Sequence, residues 1–357
     1  METTVMVITE ATAMAAKIST HRRQQSGVAL ITTLIIVGLV TALSIGIAVS
    51  HERTLLKAES RFHGNQALEY LLGAEELARF VLDEDYKEDQ EDQEEIDSLD
   101  EAWNQEQQFP LDEGSLLGQI SDAQAKFDIN RLARQVATED SDRTSPQAYT
   151  ADQRRFIRLL QILDEEEPMS LTDAQSVLAP IIDWLDEDDT PFGFEGAESL
   201  DYQREEPPVR PTNGPIKSIT ELRLVKSITP ELYDLLEPHI TALPGGGTGM
   251  NLNTASTTLL RTINIENDFR PLSKADAEQI QLDRGSGYTV FSDFLDGSVP
   301  TTLRPQGDIS DEGLTVSSEY FILSAKVEVG RQRRAQTSLL FRNGEDTEVI
   351  QRSDFGL

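Results

Sequence analysis

The chain has 357 residues, room for one large domain or two to three smaller ones. With 63 acidic against 31 basic residues its formal net charge is −32, the wrong sign for nucleic acid or an anionic membrane surface and a suitable one for divalent cations or basic protein faces. It contains no cysteine, which excludes a disulfide frame and thiolate chemistry, and its four histidines (His21, His51, His63, His239) are spaced too widely to suggest a zinc site.

Residues 1–20 carry Glu2, Glu10 and Lys17 and hold no apolar run long enough to insert into a bilayer; Met1, Met6 and Met14 are all possible starts. A basic stretch, His21-Arg22-Arg23, then precedes Gly27, and from Val28 to Ser50 no residue is charged. As a helix, that run is about 35 Å long, enough to cross a hydrocarbon core of roughly 30 Å. The basic flank keeps the short N-terminal segment cytoplasmic and sends the rest of the chain across.

A secretory signal places its small-residue cleavage site after the apolar core; here Gly27 comes before it. Basic residues, Gly27, then an apolar helix opening Val28-Ala29-Leu30 resemble the leader of type IV pilins and type II secretion pseudopilins. A plain single-span anchor with an incidental Gly27 is the other reading. The resemblance implies that a prepilin peptidase cuts between Gly27 and Val28 and N-methylates Val28. Most pilins carry a glutamate at mature position five, where an unpaired charge in an apolar fibre core would be costly. Counting from Val28, that position is Thr32. Within the pseudopilins, the missing glutamate marks the K-type minor subunit.

Beyond the span, Ala67, Leu71, Ala74, Ala78 and Val81 recur with helical period, so 51–82 reads as a continuation of the helix with one face on a sheet. Residues 83–118 open on a dense acidic block and read as a solvated linker. Residues 119–133 and 315–345 show strand patterning and form the expected sheet, with 330–334 as a hairpin connection. Between them, 134–300 reads as a helical insertion of two subdomains, about 134–243 and 250–300. Its start signals are Ser170, Ser218 with Glu221 as a capping box, Thr229-Pro230 and Ser273. Strand–helices–strand order is most economically one sheet interrupted by that insertion.

The candidate chemistry lies in Asp183-Trp184-Leu185-Asp186-Glu187-Asp188-Asp189-Thr190-Pro191 with Glu198 and Asp201 following. A helix ends near Asp186 and several carboxylates meet in a Pro/Gly loop. Three readings stand: a solvated acidic loop, a calcium site, since hard Ca²⁺ takes six to eight oxygens in flexible geometry, or a catalytic carboxylate pair. The spacing is not that of an EF-hand, because Pro191 stands where its glycine would be. In the K-type family, a similar helix end followed by Gly-Ala-Glu and Pro-x-Arg-Pro-x-Asn recurs. Here those are Asp183–Asp186, Gly196-Ala197-Glu198 and Pro208–Asn213. The resemblance implies calcium, with Asp186, Asp188, Glu198 and Asp201 as first candidates and Asp183 and Asp189 behind them.

Met250–Ser256, Leu259-Leu260 and Ala275–Arg284 resemble a helix-hairpin-helix unit, but the connection 263–271 has no glycine and carries Glu266 and Asp268. With the overall charge this argues against nucleic acid and for a scaffold in which Asn253 caps the following helix. Gly245-Gly246-Gly247-Thr248-Gly249 lacks the Lys-Ser/Thr of a phosphate loop and reads as a linker.

The expected fold is α+β: a pilin-like long N-terminal helix on a small antiparallel sheet, interrupted by a large helical insertion of SAM-like or helix-hairpin-helix-like type. The resemblance implies a non-enzymatic minor pseudopilin of type II secretion, anchored once in the bacterial inner membrane with its bulk periplasmic. It would cap the tip of the pseudopilus with I-type and J-type minor pseudopilins and help initiate assembly. Its further partners would be the major pseudopilin, the prepilin peptidase and the inner-membrane assembly platform. The alternative is a membrane-anchored periplasmic carbohydrate-processing enzyme using the 183–201 carboxylates.

Overall fold

The computed structural model describes residues 25–133, 145–246 and 249–354. His21, Arg22, Arg23 and the three possible start methionines lie outside the described residues, as do 134–144 of the expected insertion and Gly247-Thr248. The chain divides into two units that meet at Asn65/Gln66.

Both units share helix α1 (Gln25–Asp92), 68 residues without a proline. The first unit holds its apolar part, and this is a helix long and apolar enough to cross a membrane, with mean hydropathy 2.6 over its best window. Its apolar side chains are exposed from Val28 to Val49, as a lipid- or helix-facing segment requires. Gly27 and Val28 both lie within this helix, and the Thr32 hydroxyl donates to the Val28 carbonyl one turn back.

In the second unit α1 packs on a sheet. After it come β1 (Gln107–Leu111), β2 (Gly114–Asp122) and a short β3 (Phe127–Asp128). Helices α2 (Ala151–Leu160), α3 (Leu171–Leu185), α4 (Ser199–Tyr202) and α5 (Pro230–Leu236) follow. Then come β4 (Ile240–Thr241), β5 (Met250–Asn251), α6 (Thr257–Leu260), α7 (Lys274–Arg284), α8 (Phe291–Leu295) and α9 (Ser298–Leu303). The chain closes with β6 (Leu314–Thr315), β7 (Tyr320–Val329), β8 (Gln332–Asn343) and β9 (Asp346–Ser353).

The main sheet is antiparallel in the order β1-β2-β7-β8-β9, so everything from residue 123 to 319 is spliced between two neighbouring strands. From Phe321 on, strand β7 alternates: Phe321, Leu323, Ala325, Val327 and Val329 are buried and face Ala67, Leu71, Ala74, Ala78 and Leu82 of α1. The turn from β7 to β8 is Gly330-Arg331, with Gly330 at φ 56°, a conformation that favours glycine. The spliced module has its own core, in which Phe127, Phe156, Ile181, Trp184, Tyr233, Leu260 and Phe294 are all at most 2 % exposed.

Several expectations change. Residues 83–118 are not a linker: α1 runs to Asp92, Trp103 is buried at 1 %, and β1 and the start of β2 lie in this span. The acidic side chains misled because a helix end and a strand edge tolerate charge on their solvent faces. The sheet uses 107–122 rather than 119–133, and it continues past 345 into β9. Phe127, Ile129, Leu132 and Ile309 belong to the module's core, so the module begins before 134 and ends after 300. Asn253 is no cap; Ser256 caps α6, while the buried Asn253 donates to the Tyr288 and Val316 carbonyls and accepts the Tyr288 N–H. Ser218 accepts from Thr220 N, and Glu221 takes the Lys217 N–H, so the predicted capping box is displaced by one residue.

Candidate functional site: an acidic loop at a helix end

Helix α3 starts at Ser170, whose hydroxyl accepts the Asp173 N–H, and stops at Asp186, whose backbone turns extended. The loop that follows is organised by Asp183, a residue with no exposed surface. Its two carboxylate oxygens accept the N–H groups of Phe192 at 2.7 Å and Ala197 at 2.6 Å, so the loop folds back over the helix end. Those backbone donors favour the carboxylate, yet burial outweighs them and pushes Asp183 up to about 7. Trp184 meets Tyr202 edge to face at 5.0 Å, and the Tyr202 hydroxyl accepts the Lys226 N–H, which fixes the far side of the loop.

The fold-back brings Glu198 against Asp186 and Asp188; one oxygen of each lies within 4.8 Å of the others. Asp186 and Glu198 are buried and Asp188 is exposed. Both Glu198 oxygens are buried without a hydrogen-bond partner. Burial first, then the charges of Asp183, Asp186, Asp189 and Asp188, push Glu198 up to about 7. An orphaned buried carboxylate beside two others is unfavourable unless a proton or cation joins them. The donor set is all oxygen, which suits a hard divalent cation rather than zinc.

The other three candidates do different work. Asp183 positions the loop. Asp201 accepts the Glu198 N–H at 3.2 Å and caps α4. Asp189 accepts the Ser199 hydroxyl at 3.0 Å. Asn213, at φ 43°, leans its amide on the Asp188 carbonyl at 3.4 Å.

Sequence reasoning missed a second charged cluster. Arg342 of β8 is buried and donates to both oxygens of the fully buried Asp97 and to Asp85 of α1 at 3.0 Å. Glu101 stands beside them and takes the Trp103 indole N–H. Burial pushes Asp85, Asp89 and Glu101 each up to about 7. The only signal was an arginine amid the apolar run of β8, and its partners lay in the stretch read as linker.

A helix long and apolar enough in its first half to cross a membrane and packed on an antiparallel sheet in its second, with a helical module spliced into that sheet, is an architecture of the pilin type. A family profile described as Type II secretion system (T2SS), protein K, matches residues 125–245. Type II secretion system protein K of Pseudomonas aeruginosa is 32 % identical over 94 % of this chain and 94 % of its own length. That of Pectobacterium carotovorum is 31 % identical over 93 % and 97 %. The crystal structure of the GspK–GspI–GspJ complex from enterotoxigenic Escherichia coli shares the fold, with a TM-score of 0.67 at 24 % identity over 83 % of this chain and 98 % of that one. The chain belongs to the type II secretion system protein K family, and its role is that of a minor pseudopilin in type II secretion. This family is one of secretion pseudopilins rather than of known enzymes, and the carbohydrate-processing alternative has no support.

Proposed function

We propose that the chain caps the tip of the periplasmic pseudopilus together with I-type and J-type minor pseudopilins and helps to start its assembly. The observation that carries this reading is the near full-length likeness to protein K of Pseudomonas aeruginosa. The solved relative, crystallised as a GspK–GspI–GspJ complex, supports the choice of partners. Before assembly the segment 28–50 anchors the chain once in the bacterial inner membrane, with the leader cytoplasmic and the bulk periplasmic. Prepilin peptidase acts between Gly27 and Val28. The major pseudopilin and the inner-membrane platform receive the processed subunit. Thr32 supports the tip position, since a subunit without a carboxylate there cannot neutralise a neighbour's terminal amine inside an apolar core. The spliced module adds bulk where a further subunit would stack, and we assign it to the helix-hairpin-helix or SAM-like type on the packing of α6 against α7.

Calcium belongs to this reading, held by Asp186, Asp188 and Glu198, with Asp183 positioning the loop. Bound there, the ion would neutralise the carboxylates and tie the loop to the end of α3. Mass spectrometry of the membrane-extracted chain tests the processing. The expected N-terminus is N-methylated Val28; an intact leader, or cleavage elsewhere, would overturn the pseudopilin reading of this segment.

A further inference from the structure

Between α1 and the β1–β2 hairpin lies a half-open apolar cleft of about 290 Å³. Small side chains make it: Ala74 and Ala78 on the helix and Gly118 on β2 leave a gap that the buried Trp103 floors. Leu77, 41 % exposed, and Phe109 stand at its sides, and Gln105 and Gln107 at its mouth. The strand side of the cleft belongs to an unusual stretch of chain. From Glu88 to Ala125 there are thirteen acidic residues and no lysine, arginine or histidine. Glu106, exposed, sits between the two glutamines of the mouth.

We propose that this cleft docks an apolar side chain flanked by lysine or arginine on a neighbouring subunit of the fibre tip. The choice of a tip subunit rests on the proposed function; the chemistry of the occupant rests on the cleft. An apolar floor with the exposed Glu106 at its mouth, on a stretch of chain that carries no basic residue, selects an apolar anchor with basic neighbours, which gains burial and charge complementarity together. A second copy of this chain is disfavoured, because two chains of net charge −32 repel. An anionic lipid surface is disfavoured by the same charge.

The test titrates the full chain in detergent with the purified I-type and J-type subunits of the same secretion system. Gly118→Leu fills the cleft: a Cβ at Gly118 points to open space, with Leu323 Cδ1 4.0 Å away as its nearest neighbour, so the melting temperature should hold. Affinity for at least one subunit should fall about tenfold. Glu106→Lys should weaken the same binding about threefold and flatten its salt dependence. Leu77→Ser removes an exposed wall of the cleft without touching the core and should also weaken binding, which keeps the test decisive if Gly118→Leu unfolds. Wild-type binding that both cleft variants reproduce overturns the cleft and leaves the tip reading standing. A wild-type chain that binds neither subunit overturns the tip reading and this proposal with it. A wild-type chain that instead self-associates through the cleft, as a dimer broken by Leu77→Ser, overturns the choice of occupant.

Discussion

Gly196 packs so closely on Asp183 that a Cβ at position 196 would collide with Asp183 Oδ2, the oxygen that accepts the Ala197 N–H. The Gly-Ala-Glu part of the loop is thus tied to the helix end: glycine admits the carboxylate, the carboxylate holds Ala197, and Ala197 delivers Glu198 to Asp186 and Asp188. Gly196→Ala should break the chain of contacts at its first link. Thermal melting should show a loss of about 1–3 kcal/mol, the range for an Asp183 left with poor partners. A variant as stable as wild type would remove this account of the loop.

Arg342 carries the second charge cluster, and its removal should cost more. Arg342→Met leaves Asp97 and Asp85 without their cation, a loss of about 3–5 kcal/mol by urea titration. The pH dependence has a definite sign. Asp85, Asp89 and Glu101 are raised from 3.8, 3.8 and 4.5 to about 7, so the folded state holds more protons than the unfolded one across that window. Stability from this cluster is therefore largest near pH 4 and falls as pH rises through about 7. The penalty of Arg342→Met should be smaller at pH 5 than at pH 8; an equal or larger penalty at pH 5 would contradict the assignment.

Asn253, two residues past β5, ties its segment to the Tyr288 and Val316 backbones through three hydrogen bonds in a site with 1 % exposure. Asn253→Ala should cost about 1–3 kcal/mol in a melting experiment, through orphaned backbone groups. If Asn253 were only a helix cap, Asn253→Ser would restore most of the loss; the buried geometry predicts that it does not.

The sequence carried the long helix and its sheet-facing stripe, because apolar residues at helical spacing leave few alternatives for Ala67, Leu71, Ala74 and Ala78. It carried β7 through alternation from Phe321 on and the starts of α3, α5 and α7 through Ser170, Thr229 and Ser273. It failed at 83–118 because composition reports solvation, not pairing: Asp97 looks like its neighbours in the string, yet it is buried on an arginine 245 residues away. It also could not order the loop carboxylates. Asp183 and Asp201 resemble ligands in sequence, and only the fold reveals that backbone N–H groups already occupy them.

Calcium in excess should raise the melting temperature of the full chain and a chelator should lower it, as a ligand of the folded state must. At a free concentration about 100 times Kd the gain is about 2.7 kcal/mol. Glu198→Gln, which removes the buried unpartnered carboxylate, should abolish most of that response, while Asp189→Asn, one loop position outside the triad, should keep it. An unchanged melting temperature on adding calcium would remove the ion from the account.

Gold labelling of assembled pseudopili against an epitope on the spliced module measures the position of the chain in the fibre directly. One label cluster at a single end of each fibre is expected of a tip subunit; labels spaced along the shaft would contradict the tip position.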